Sequence, residues 1–143
     1  MKVDFWQLSR DPVEKVVALI AQRVLDQGEK LLVVSKDADQ RQAISKGLWA
    51  AGPESFLANA EADAPTAKTQ PVLLSETPDP LNTASHVIFA DGEYRDTEGF
   101  DRAFLLFDET TVAQAREVWK SLDSGQGERS FFRQDGGKWV KVA

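Results

Sequence analysis

Residues Lys30 to Ser35 read KLLVVS, a short apolar run without polar alternation, as a strand requires when helices cover both its faces. Upstream, Lys2 to Leu8 (KVDFWQL) sets Val3, Phe5 and Gln7 against Lys2, Asp4 and Trp6, the period of two expected of a strand. Between them, Asp11-Pro12 offers an N-cap followed by proline at the first helical position. Val13, Val16, Val17, Ile20 and Val24 then recur at helical spacing until Gly28 supplies a stop. Strand, helix and strand in that order predict a parallel unit with a right-handed crossover. The chain is thereby committed to an open α/β sheet.

The remaining segments extend that sheet. Asp37 to Trp49 predicts a second helix with Ala43, Ile44 and Leu48 inward, broken by Ala51-Gly52-Pro53. Ala58 to Gln70 is small, polar, acidic and aperiodic, which predicts a loop. PVLLS at 71–75, HVIFA at 86–90 and FLLF at 104–107 predict three more buried strands. A last helix is expected from an N-cap at Thr110-Thr111 to about Leu122, with Val112, Ala115, Val118, Trp119 and Leu122 on one face, ended by Gly125 and Gly127. SFFRQ at 130–134 and KWVKV at 138–142 flank Asp135-Gly136-Gly137, a hairpin signal. The expected fold class is α/β, an open sheet of mixed direction covered by helices, Rossmann-like in outline.

With 143 residues the chain suits a single domain with a full core. Its 17 Lys and Arg face 23 Asp and Glu, a formal charge of −6, which argues against a broad phosphate-binding surface and so against direct nucleic-acid binding. The absence of cysteine excludes disulfides, thiolate metal sites and cysteine nucleophiles. The opening MKVDFWQLSRDP has no apolar stretch behind a basic start, and no segment approaches the roughly 20 apolar residues of a membrane span. A cytoplasmic protein without membrane attachment is the expectation.

A sheet of this kind invites a nucleotide. The first strand-to-helix loop, Ser9-Arg10-Asp11-Pro12, has no glycines to let a pyrophosphate approach the backbone, and Asp11 occupies the place an anion would take. His86, the single histidine, opens a core strand, where a structural role is the ordinary one. Acidic pairs such as Asp37 with Asp39 or Glu76 with Asp79 fall in turns, where capping explains them. Neither an EF-hand spacing nor any other converging ligand set is present, so no catalytic, cofactor-binding or metal-ligating residue is assigned. Two other classes stay open on residues alone: a small Rossmann-like enzyme or nucleotide-binding protein, and an unrelated interaction domain.

Two segments are more particular. GLWAAGPESF at 47–56 closes the second helix. FDETTVAQAREVWKSL, followed by GERSFFRQDGGKWVKVA, closes the chain. Together they resemble the chi subunit family of the bacterial DNA polymerase III clamp-loader assembly, in which a helix ends on a leucine-tryptophan pair before a proline-containing turn and an E-S-F triplet. The C-terminal likeness is an A-R-x-x-aromatic-K helix, a glycine and a hairpin with tryptophan. Nearly the whole chain takes part, 58–70 least, so that 1–143 is expected to be one chi-like domain.

The resemblance implies a non-catalytic adaptor of the DNA polymerase III holoenzyme, needing no cofactor. One surface would hold the psi subunit, which links it to the clamp loader, with contacts at Trp49 and Phe56. Another would capture the acidic C-terminal tail of single-stranded DNA-binding protein, leaving template contact to that partner. On the last helix Arg116 falls roughly 60° from Trp119, and Lys120 follows Arg116 by one turn. A cation beside a half-exposed aromatic can grip a terminal carboxylate while the pocket takes the last side chain. Arg116, Trp119, Lys120 and nearby Phe107 are therefore the expected tail site. The bland alternative is that Arg116 and Lys120 are solvated and pair with Glu117 or Glu109; for Trp49 and Phe56 it is burial in the core. The family also carries a basic residue one turn before the arginine, where this chain has Val112.

Overall fold

A computed structural model describes residues 1–50, 57–122, 127–135 and 138–143. The strands are β1 (Lys2–Gln7), β2 (Leu31–Val34), β3 (Asn59–Glu61), β4 (Val72–Ser75), β5 (His86–Phe89), β6 (Arg102–Phe107), β7 (Glu128–Asp135) and β8 (Lys138–Lys141). The helices are α1 (Val13–Asp26), α2 (Ala38–Trp49) and α3 (Val112–Ser121). The strands form one open sheet in the order β3-β4-β2-β5-β6-β1-β7-β8. Seven run parallel and β8 returns antiparallel to β7, so the sheet is mixed, as the sequence predicts.

The helices divide between the faces. Val16, Val17, Ile20 and Val24 of α1, with Ile44 and Leu48 of α2, pack on Trp6, Val33, Ile88 and Leu106. On the other face Ala115 of α3 joins Phe5, Val34, Phe89, Leu105 and Phe107. Because both faces are covered, β2, β4 and β5 are buried throughout, which accounts for the apolar runs Leu31–Val34, Val72–Leu74 and Val87–Phe89.

The same burial corrects the alternating reading of β1. Lying between β6 and β7, it buries Asp4 and Trp6 as fully as Val3 and Phe5. Trp6 stacks on Phe132, with centroids 5.1 Å apart, and lies 4.7 Å from Trp139. Asp4 requires a counter-charge, since an unpaired carboxylate in a dry interior costs several kcal/mol. Arg102, two residues before Asp4's register partner Phe104 on β6, donates to Oδ2 from Nε at 3.0 Å and from Nη2.

Local differences have local causes. Pro12 stands at the N-cap of α1 with extended backbone and no side-chain cap. Asp11 instead accepts from Gln134 Nε2 at 2.7 Å, tying the helix start to β7. Asp37 caps α2 by accepting from the amides of Asp39 and Gln40, and Gly28 follows α1 at φ 79, a left-handed conformation suited to glycine. Thr111 occupies the N-cap of α3 without a side-chain capping bond, its hydroxyl accepting from the Asp108 amide at 3.0 Å. Asp108 accepts from the amide and hydroxyl of Thr110 in its place.

The stretch expected as a loop holds the edge strand β3 and a 3-10 turn at Ala67–Thr69. Ser45 donates to Asn59 Oδ1 at 2.6 Å, and Arg41 pairs with Glu61 at 3.1 Å, so α2 side chains hold β3 in place of an apolar pattern. The breaker at 51–53, Phe56, Gly125 and the Gly136-Gly137 turn lie outside the described residues.

The Asp4–Arg102 pair generates an ordered prediction. Arg102→Ala strands a fully buried carboxylate and should cost about 3 kcal/mol, the scale for breaking a buried pair. Asp4→Asn leaves a guanidinium 29% exposed, which water can reach, and should cost about half as much. Urea unfolding of both variants measures the order, and the reverse order would show that Asp4 is not held by Arg102.

Candidate peptide-binding pocket

β1 leads into α1 on one face, whereas its neighbour β6 leads into α3 on the other. Their carboxyl ends therefore form the topological switch point where open α/β sheets ordinarily take ligands. A crevice of about 480 Å³ lies there, lined by Asp11, Glu14, Asp91 and Asp108. Burial would raise the Asp91 carboxyl, but hydrogen bonds from Arg95 and the Lys36 amide outweigh it and hold the group below its usual range. Hydrogen bonds from Thr110 and Thr111 lower Asp108 as well. Both are anionic at neutral pH, and phosphate in their company would meet repulsion.

His86 is buried at the opening of β5, where desolvation lowers its pKa and favours the neutral ring. Its Nδ1 lies 2.7 Å from Ser85 Oγ, which donates to Glu29. Among the described residues no cluster of three or more His, Cys, Asp or Glu could hold a metal, and no helix is long and apolar enough to cross a membrane.

A second cavity lies against α3. It measures about 400 Å³ and draws its walls from three strands and one helix. Phe5 and Gln7 come from β1, Phe107 from the end of β6, and Phe131 from β7. The parallel register sets Gln7 beside Phe107 and Phe5 beside Phe131. From α3 come Val112, Ala115, Arg116, Trp119 and Lys120.

All four residues expected for the tail site thus line one cavity. Only Ala115 of the expected inward face is fully buried; Val112, Trp119 and Leu122 are half-covered. That partial cover is what leaves room above Phe107, which is itself buried.

Aromatic geometry shapes the interior. Trp119 meets Phe5 edge-on, with centroids 5.1 Å apart, and Phe107 lies 5.8 Å from Phe131. Arg116 and Lys120 are exposed on the rim, and among the described residues neither pairs with a carboxylate, Glu117 and Glu109 included. An aromatic interior with unengaged cations at its mouth suits an apolar group joined to an anion.

Periodicity within α3 could not find Phe5, Gln7 or Phe131, because their place depends on pairing between distant strands. Val142 and Ala143 also line the cavity and follow β8, the Val142 amide donating to the Phe131 carbonyl at 2.7 Å. Trp49 lies elsewhere, at the end of α2, and is 48% exposed rather than core.

Fold and sites together define an α/β sheet protein with an anionic switch-point crevice and a cation-rimmed aromatic pocket. The family model for the DNA polymerase III chi subunit, HolC, matches residues 1–127 of the 143, and the chain belongs to that family. Membership makes it a subunit of a DNA polymerase III complex, with a part in DNA replication. No curated protein matches the chain. Strand β7 and the two residues after β8, which contribute to the pocket, lie beyond the matched residues.

Proposed function

We propose that this chi-family chain is a non-catalytic adaptor, joining the clamp loader through psi to the C-terminal tail of single-stranded DNA-binding protein. The observation that carries the reading is the convergence of Phe107, Arg116, Trp119 and Lys120 on one pocket. A peptide ending in an aromatic residue would seat that side chain among Phe5, Phe107, Trp119 and Phe131. Its terminal carboxylate would accept two hydrogen bonds from the Arg116 guanidinium, a charge-assisted pair stronger than a neutral one. Lys120 adds a second positive charge for acidic residues upstream. Val112 contributes apolar wall rather than charge, so the cations here are those of the helix's later turns.

Psi would dock at Trp49 and Phe56. The exposure of Trp49 supports this, since large aromatics at helix ends supply much of the energy of protein interfaces. α2 covers the sheet face opposite α3, so the two partners would approach from opposite sides without competing. DNA itself is left to the tail's owner, in keeping with a net charge of −6.

An acidic peptide with a C-terminal phenylalanine should bind at around micromolar affinity, about −8 kcal/mol. Arg116→Ala should weaken it by roughly 1.5 to 3 kcal/mol, and amidation of the terminal carboxylate by a similar amount. Titration calorimetry decides: if amidated peptide and variant protein both bind as their parents do, the carboxylate clamp is wrong. Trp49→Ala, and likewise Phe56→Ala, should weaken psi by at least about 2 kcal/mol while circular dichroism and peptide affinity stay unchanged. Normal psi binding, or loss of fold, would place these aromatics outside the interface.

A further inference from the structure

Trp119 is held on several sides. Phe5 and Phe131 meet its ring edge-on, at 5.1 and 6.4 Å between centroids, and the Arg129 guanidinium carbon lies 4.3 Å from the ring centroid. Arg129 Nη1 also donates to the Trp119 carbonyl in the last turn of α3. Arg129 itself sits in β7 opposite Val3 of β1, inside the sheet ladder. One planar group therefore ties both the indole and the end of α3 to the sheet. A guanidinium can cover a ring and reach a carbonyl at once, whereas a lysine could supply only its charge.

We propose that Arg129 is a positioning residue of the pocket, fixing the Trp119 indole as the wall that selects an aromatic side chain at the end of the bound peptide. This rests on the peptide-binding reading given above. It assigns the two halves of recognition to different cations. Arg116, one helical turn before Lys120 on the rim, reads the carboxylate; Arg129, acting through Trp119, sets the preference for the side chain. Arg129 lies beyond the family-matched residues, in the strand that also supplies Phe131, so this preference would be a property of the β7 segment.

The test pairs indole NMR with calorimetry on three acidic peptides, ending in phenylalanine, in phenylalanine amide and in alanine. The chain has four tryptophans, and the Trp119 signal is the indole resonance lost in Trp119→Phe. Arg129→Ala and Arg129→Lys should both shift that resonance without peptide, and should cut the preference for phenylalanine over alanine by about fivefold. The preference for acid over amide should stay at its wild-type value in both. If the alanine variant fails to fold, Arg129→Lys carries the comparison; failure of both would overturn the proposal, making Arg129 a folding residue. An unmoved Trp119 resonance with full phenylalanine preference would also overturn it, while the wild-type acid-over-amide preference upheld the peptide site. If wild-type protein does not distinguish acid from amide, the peptide reading itself fails and the proposal falls with it.

Discussion

β1 pairs in parallel on both sides, with β6 and with β7, and the rest of the molecule is arranged around that placement. Residues near the start of the chain are thereby inserted between two strands from its last third, after a loop closure of long sequence separation. Burying β1 on both faces forces Asp4 into the interior and makes Arg102 its necessary counter-charge. It also sets Phe5 and Gln7 between Phe107 and Phe131, which furnishes the pocket floor on which α3 rests. The site is a consequence of strand order: move β1 to an edge and the aromatic floor no longer assembles.

Charge is sorted by place rather than by sum. Asp11, Glu14, Asp91 and Asp108 gather at the switch point, where related architectures receive nucleotides, and the ionised state of Asp91 and Asp108 is reinforced by their hydrogen bonds. Arg116, Lys120 and Arg129 gather around Trp119 toward the end of α3, where the helix dipole also favours positive charge. On the proposed reading an acidic chain would attract an acidic peptide, because within the roughly 8 Å over which exposed charges act at physiological salt the local cations decide the sign.

The sequence made most strands with two covered faces legible, since β2, β4, β5 and β6 bury both faces with runs of three or more consecutive apolar residues. It also made α1 legible through its apolar stripe and the terminal hairpin through its glycines. It misled at β1, where an alternating pattern conceals burial on both faces, Asp4 being tolerated through a partner 98 residues away. β3 escaped notice because Asn59 and Glu61 are anchored by α2 side chains rather than by an apolar face. At the site, one helix's periodicity and a family resemblance pointed to Phe107, Arg116, Trp119 and Lys120. Phe5, Gln7, Phe131 and Arg129 could not be read, because a strand's neighbours are set by pairing across the whole chain.

The central claim is that the cavity between α3 and the β6-β1-β7 strands receives an acidic C-terminal peptide. Titrating isotope-labelled protein with a phenylalanine-ended acidic peptide, and mapping which backbone amides shift, tests it most directly. The account predicts shifts concentrated at Phe5, Gln7, Phe107, Phe131 and the stretch from Val112 to Lys120, with Trp49 and the Asp91 crevice unmoved. Shifts centred on α2 or on that crevice, with α3 silent, would contradict it.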